Sequence, residues 1–137
     1  MTRERFKKIF PNWYAILYAA ACGFLIPWTI LLAVILPHHY NSRHWDIAWV
    51  GFDIFECLLF AITAILAIKH SLWTALTSSM LGTALLIDAW FDVLTASTLR
   101  AERTAIIEAF IVELPIAILS YGLSYRVINY IKIKNSD

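Results

Sequence analysis

The chain has 137 residues, of which 61% are hydrophobic and only 15% are charged, and its formal net charge is +1. These proportions lie far from those of soluble domains, so the composition predicts a polytopic membrane protein and offers no basic surface for nucleic acid. A chain of this length has room for about four spans of about 20 residues each. Residues 1–137 are therefore expected to form a single integral membrane domain.

Four apolar windows follow one another along the chain, at about residues 13–36, 47–68, 72–96 and 104–128. Each window is long enough to cross a hydrocarbon core of about 30 Å as a helix. The runs are too long for strands and lack a two-residue alternation of apolar and polar side chains. The sequence therefore predicts an all-α membrane protein, a four-transmembrane-helix bundle whose first partner is the lipid bilayer.

Lysine and arginine residues favour one side of this bundle. Eight of them lie at the two termini, in the second loop and in the last turns of the fourth window: Arg3, Arg5, Lys7, Lys8, Lys69, Arg126, Lys132 and Lys134. Only Arg43, Arg100 and Arg103 lie on the other side. Because cytoplasmic loops carry the excess of positive charge, we expect a multi-pass protein of the cell membrane with both termini in the cytoplasm.

Acidic residues interrupt the last three windows. Six of them lie inside otherwise apolar stretches: Asp53, Glu56, Asp88, Asp92, Glu108 and Glu113. With successive helices antiparallel, all six fall in the outer half of the bundle, roughly 6 to 13 Å from its outer end at about 1.5 Å of rise per residue. A carboxylate in hydrocarbon is costly, so such residues face a bundle interior or a wet cavity and mark functional sites. We therefore expect one acidic cavity near the outer surface.

The helical wheel predicts the side of each helix on which the acidic residues lie. Asp53 and Glu56 are separated by about 60°, and Asp88 and Asp92 by about 40°, so each pair presents two carboxylates to one side of its helix. These four residues are therefore predicted to face a common centre.

The two acids of the fourth window do not share a face in an undistorted helix. Glu108 and Glu113 are about 140° apart, so both can approach one centre only if the helix is distorted, and Pro115 is the candidate cause. Glu113 follows a line of alanines that would let another helix approach closely, from Ala101 to Ala117. We therefore place Glu113 in the interior and Glu108 toward the outer loops.

The predicted site is a cation site. Its oxygen ligands or proton acceptors are Asp53, Glu56, Asp88, Asp92 and Glu113, and its entrance is formed by Glu108 with the loop residues His38, His39 and His44. Carboxylates suit hard divalent cations, whereas added imidazoles shift the preference toward Mn²⁺, Fe²⁺ or Zn²⁺. Histidines also titrate near neutral pH, so a divalent metal ion and protons both remain open as the bound species.

Two cysteines, Cys22 and Cys57, fall inside the first and second windows. At these positions they are expected to be small packing groups rather than a disulfide, because they are far from any aqueous oxidant.

The segments WDIAWVGFDIFE and LLIDAWFDVLTA, together with ELP in the fourth window, resemble a group of small four-span bacterial membrane proteins that are functionally uncharacterised. The resemblance covers the second and third windows. It implies a four-helix bundle whose acids belong to one recurrent arrangement, and it implies no reaction.

Three functions remain open from the sequence. The first is a membrane protein whose outer-leaflet acidic cavity binds, transports or senses a cation; transport would require a homo-oligomer, because four helices leave no room for a pore within one subunit. The second is a metal-dependent membrane enzyme that acts on a lipid or polyisoprenoid, with a free carboxylate as general base. The third is a non-catalytic membrane subunit whose paired acids are structural.

Overall fold

The computed structural model describes residues 9–36 and 43–136. Within these residues the chain forms four long helices and no strand, which confirms the all-α prediction. Helix α1 spans Asn12–Ile35, α2 spans Trp45–Ile68 and α3 spans Thr74–Thr95. Helix α4 is continuous and has three parts, an α-helix Leu99–Glu108, a π-helical turn Ala109–Glu113 and an α-helix Leu114–Ser136.

Three of the helices in the described part of the chain, α1, α2 and α4, are long and apolar enough to cross a membrane. Helix α3 has 22 residues, but its sequence contains two aspartates and several hydroxyl side chains, which lower its hydropathy. These features agree with a membrane protein.

Helix α4 begins before the fourth apolar window. Thr98 caps its first turn, because the Thr98 hydroxyl oxygen accepts a hydrogen bond from the backbone N–H of Ala101 at 3.1 Å. The turn that follows contains Arg100, Glu102 and Arg103, so hydropathy alone does not reveal that it is helical.

The helices pack as two antiparallel hairpins. Helix α1 packs along α2, α4 packs along α3, and contacts between α2 and α3 join the hairpins. Over the described residues, the backbones of α1 and α4 do not pack directly against each other. The buried aromatic residues Tyr14, Tyr18 and Phe60 fill much of the interior together with Leu81 and Leu123.

The π-helical turn of α4 ends two residues before Pro115. Its defining hydrogen bond runs from the backbone N–H of Leu114 to the carbonyl oxygen of Ala109, five residues earlier. Proline has no N–H, and its ring clashes with the carbonyl four residues before it, here that of Ile111. A locally wider turn relieves this clash, so the distortion that the sequence requires is present at the residues between Glu108 and Glu113.

Candidate cation site

Helices α3 and α4 bring three carboxylates together, and we call Asp88, Asp92 and Glu113 the acidic triad. One carboxylate oxygen from each of these residues lies within 4.8 Å of the other two. Asp88 and Asp92 are one turn apart on α3 and half-buried, whereas Glu113 closes the π-helical turn and is only 8% exposed. The interior position predicted for Glu113 is thus confirmed.

Helix α2 adds two further acids to the same region. Asp53 is 4% exposed and Glu56 is 2% exposed, so both are buried inside the bundle. Glu56 interacts electrostatically with Asp53, Glu113 and Asp92. The acids of α2 are therefore within electrostatic range of those of α3 and α4, although among the described residues the closest group contains acids from α3 and α4 alone.

Two buried carboxylate oxygens of this group have no hydrogen-bond partner in the described part of the chain. Glu56 Oε1 and Glu113 Oε2 are buried and form no hydrogen bond with any described residue. A buried polar atom without a partner is rare in native proteins and costs free energy, so each such atom calls for a ligand, an ion or a proton.

The π-helical turn explains how Glu108 joins the group. Residues five apart approach the same face of a π-helix, whereas they diverge in an α-helix. Glu108 is half-buried and interacts electrostatically with Glu113 and with Asp92. It therefore borders the triad on the side nearer to the start of α4.

Helix α1 contributes a hydroxyl group that the sequence reasoning missed. Thr29 is buried, its Oγ1 donates to the carbonyl oxygen of Leu25 at 2.9 Å, and it lies 3.5 Å from Asp53 Oδ2. Thr29 lies on the helical stripe that includes Tyr18, Cys22 and Leu25, and this spacing is the signal that marks the interior face of α1.

The predicted entrance is only partly within the described residues. His44 is exposed and occupies a left-handed backbone conformation directly before α2, with φ of 66°. His38 and His39 lie outside the described residues. Asp88 is within electrostatic range of the carboxylates of Glu56, Asp92, Glu113 and Asp53.

A layer of large side chains lies beyond the acids, toward the α2–α3 connection. Tyr18, Phe60 and Leu81 are buried, and the Tyr18 and Phe60 rings are 6.1 Å apart between centroids. Phe60 follows Glu56 by about one helical turn. We call the layer that Tyr18, Phe60 and Leu81 form the aromatic floor, after the rings of Tyr18 and Phe60.

Hydroxyl groups lie on the far side of the aromatic floor. The Ser79 and Ser124 hydroxyls are 2.7 Å apart, and Ser124 also donates to the carbonyl oxygen of Ala75 at 2.8 Å. Thr63 Oγ1 is buried and has no partner among the described residues. The bundle thus has an acidic layer and a hydroxyl layer, separated by the floor.

The geometry of the triad matches the size of a metal ion. Three points that are at most 4.8 Å apart lie within 4.8/√3, about 2.8 Å, of a common centre. This upper limit is close to the distances of about 2.3 to 2.6 Å between Ca²⁺ and its oxygen ligands, and small side-chain rotations reach the about 2.0 to 2.1 Å of Mg²⁺. The triad can therefore serve as three of the ligands of one divalent cation.

No family model, curated protein or solved structure matches the chain.

Proposed function

We propose that the chain is a four-span membrane protein, with both termini in the cytoplasm, that binds one divalent cation in an acidic chamber in the outer half of the bilayer. The observation that carries the proposal is the acidic triad, in which three carboxylate oxygens lie within 4.8 Å of one another. Glu56 Oε1, buried beside this triad without a partner among the described residues, supports it independently.

Electrostatics explains why this arrangement favours a cation. Two like charges about 5 Å apart repel by about 3 kcal/mol at an effective dielectric constant of about 20. Three ionised carboxylates of the triad form three such pairs, so the group is stable only if protons or a cation reduce its charge. A divalent cation does this while all three oxygens remain acceptors.

The residues divide into two groups by position. Asp88, Asp92 and Glu113 are the direct ligands, because their oxygens surround one point. Glu56 and Asp53 add negative charge from α2. Glu56 Oε1 is the candidate fourth ligand, because it is buried and has no hydrogen-bond partner among the described residues.

Ligand chemistry favours a hard cation. Among the described residues, the candidate ligand atoms of the site are carboxylate oxygens, and the Thr29 hydroxyl beside them donates to Asp53. Oxygen-only sites suit Mg²⁺, Ca²⁺ and Mn²⁺ better than Zn²⁺ or Cu⁺, which prefer nitrogen and sulfur. We therefore expect Mg²⁺, Ca²⁺ or Mn²⁺ as the bound ion, selected by ligand type and metal availability and not by a higher intrinsic affinity than that of Zn²⁺.

The aromatic floor favours binding or sensing over passage through a single chain. Tyr18, Phe60 and Leu81 are buried on the inner side of the acids, where a pore would have to continue. Transport would need this layer to open or several copies of the chain to form a path between them.

Equilibrium dialysis with Mn²⁺ of the purified protein in lipid nanodiscs tests the proposal. We expect about one Mn²⁺ per chain for the wild type, and at least tenfold weaker binding for Asp88→Asn, Asp92→Asn and Glu113→Gln. Each of these changes removes a charged ligand while it preserves the shape of the side chain.

Glu102→Gln is the matched control, because Glu102 is also an acid of α4 but is not part of the triad. Its Mn²⁺ affinity should equal that of the wild type. Absence of saturable binding in the wild type, or an equal loss in Glu102→Gln, would contradict the proposal.

A further inference from the structure

The two cysteines of the chain meet at the contact between α1 and α2. The Sγ atoms of Cys22 and Cys57 are 3.3 Å apart, and both side chains are half-buried. Each sulfur also approaches the backbone carbonyl oxygen of the other residue, at 3.5 Å from Cys22 Sγ to Cys57 O and 3.9 Å from Cys57 Sγ to Cys22 O. The two helices are therefore packed closely at this level.

The sequence alone favoured small packing groups and no disulfide, and both cysteines are free thiols in the structure, although their sulfurs are in contact. A disulfide needs sulfurs about 2.05 Å apart and Cβ atoms about 3.8 Å apart. Starting from 3.3 Å, the sulfurs have to close by about 1.3 Å, a displacement of the size that rotation about χ1 supplies. We propose that Cys22 and Cys57 are a redox-active pair that is oxidised reversibly to an intramolecular disulfide joining α1 to α2.

The position of the pair indicates the class of oxidant. Both cysteines lie inside helices that are long and apolar enough to cross a membrane. A charged oxidant in water does not reach this depth, whereas a lipid-soluble quinone does. In the reaction both S–H bonds break, one S–S bond forms, and two electrons and two protons pass to the quinone, which becomes a quinol.

The disulfide would act on the same helix contact that carries Thr29 and Asp53. Cys57 follows Asp53 by about one helical turn, and Cys22 precedes Thr29 by about two turns on the same stripe. Oxidation therefore holds the Thr29 hydroxyl close to the Asp53 carboxylate, which are 3.5 Å apart. This effect on the acidic chamber rests on the proposed function, whereas formation of the disulfide does not.

The test uses the reduced full-length protein in lipid nanodiscs, with a fully substituted benzoquinone that cannot add to thiols. After incubation, the protein is unfolded, alkylated with N-ethylmaleimide and weighed by intact-mass spectrometry. The wild type should carry two adducts before oxidation. After oxidation it should carry no adduct, and its mass should be that of the reduced, unalkylated chain less two hydrogens. Treatment with dithiothreitol followed by a second alkylation should give both adducts again.

Cys22→Ala and Cys57→Ala are the matched controls, because each keeps one thiol in the same surroundings. Each should retain its single adduct after the same treatment. The proposal is overturned if both wild-type thiols still react with N-ethylmaleimide after quinone treatment under conditions that oxidise dithiothreitol in the same nanodiscs. It is also overturned if oxidation yields sulfinic acids or crosslinked chains instead. Neither result depends on cation binding.

Discussion

The hydroxyl groups of Tyr18 on α1 and Ser120 on α4 lie 3.1 Å apart and form a hydrogen bond inside the bundle. Over the described residues, these two helices do not pack backbone against backbone, so the long tyrosine side chain bridges them. Both residues are fully buried. The bond therefore closes the bundle between α1 and α4 at the level of the aromatic floor.

Tyr18→Phe and Ser120→Ala should each destabilise the bundle by about 0.5 to 1.5 kcal/mol, because each leaves the buried hydroxyl of the other residue without its partner. The double variant should lose less than the sum of the two single losses. Reversible unfolding in mixed micelles measures all three free energies of unfolding. Tyr125→Phe is the control, since Tyr125 is 70% exposed, and additive losses would show that the two hydroxyls do not interact.

Gly82 allows α3 and α4 to approach closely. A Cβ at this position would lie 3.2 Å from the carbonyl oxygen of Ala117 and 3.2 Å from the ring of Tyr121. Gly82→Ala should therefore displace α4 from α3 by a few tenths of an ångström and cost about 1 kcal/mol of unfolding free energy.

The same substitution elsewhere provides the comparison. A Cβ at Gly23 or Gly51 would meet nothing within 4 Å. Gly23→Ala and Gly51→Ala should be neutral or stabilising by up to about 1 kcal/mol, because alanine favours the helix. If thermal unfolding showed Gly82→Ala to be as stable as these two variants, the close packing of α3 on α4 would be disproved.

Pro115 should separate cation affinity from stability. Pro115→Ala restores a backbone N–H, so α4 can regain α-helical hydrogen bonding and turn Glu113 away from the triad. We expect the melting temperature to stay constant or rise while Mn²⁺ affinity falls by about tenfold, which corresponds to about 1.4 kcal/mol.

Calorimetric titration with Mn²⁺ and a thermal melt of the same sample provide the two readouts for Pro115→Ala. Ile118→Ala is the control, because Ile118 is on the same helix and 69% exposed, so its change should leave the affinity unaltered. Parallel losses of affinity and melting temperature in Pro115→Ala would mean that the proline acts through stability alone.

The path of α3 decides whether the bundle has four spans. Alkaline phosphatase fused after Ser97 should be active, because this position would lie outside the cytoplasm, whereas a fusion after His70 should be inactive. Fluorescent-protein fusions at the same two sites should give the opposite pattern. Equal activity at both sites would show that residues 74–95 do not cross the membrane.

The sequence predicts the acidic layer well because its signals are local. Depth follows from counting residues along a helix, and direction follows from the helical wheel, so the convergence of Glu56 with Asp88 could be expected. The need for a distortion between Glu108 and Glu113 also follows from the wheel, and the structure supplies it as a π-helical turn.

Other features depend on which helices become neighbours, which local patterns do not specify. Thr29 is a single hydroxyl in an apolar stretch, and only the packing of α1 on α2 brings it to Asp53. The proximity of Cys22 to Cys57 has the same origin. Likewise, the helical wheel does not rank the five predicted ligands by their distances from one another. The packing of α3 on α4 brings Asp88, Asp92 and Glu113 together as the closest group.

The most direct test of the central claim is the anomalous diffraction of crystals grown with Mn²⁺. A single anomalous peak should lie between the carboxylates of Asp88, Asp92 and Glu113, at about 2.0 to 2.6 Å from one oxygen of each. The peak should be absent from Asp88→Asn crystals and present in Glu102→Gln crystals. Well-defined wild-type side chains that surround no peak, or that point away from one another, would contradict the existence of a shared cation site.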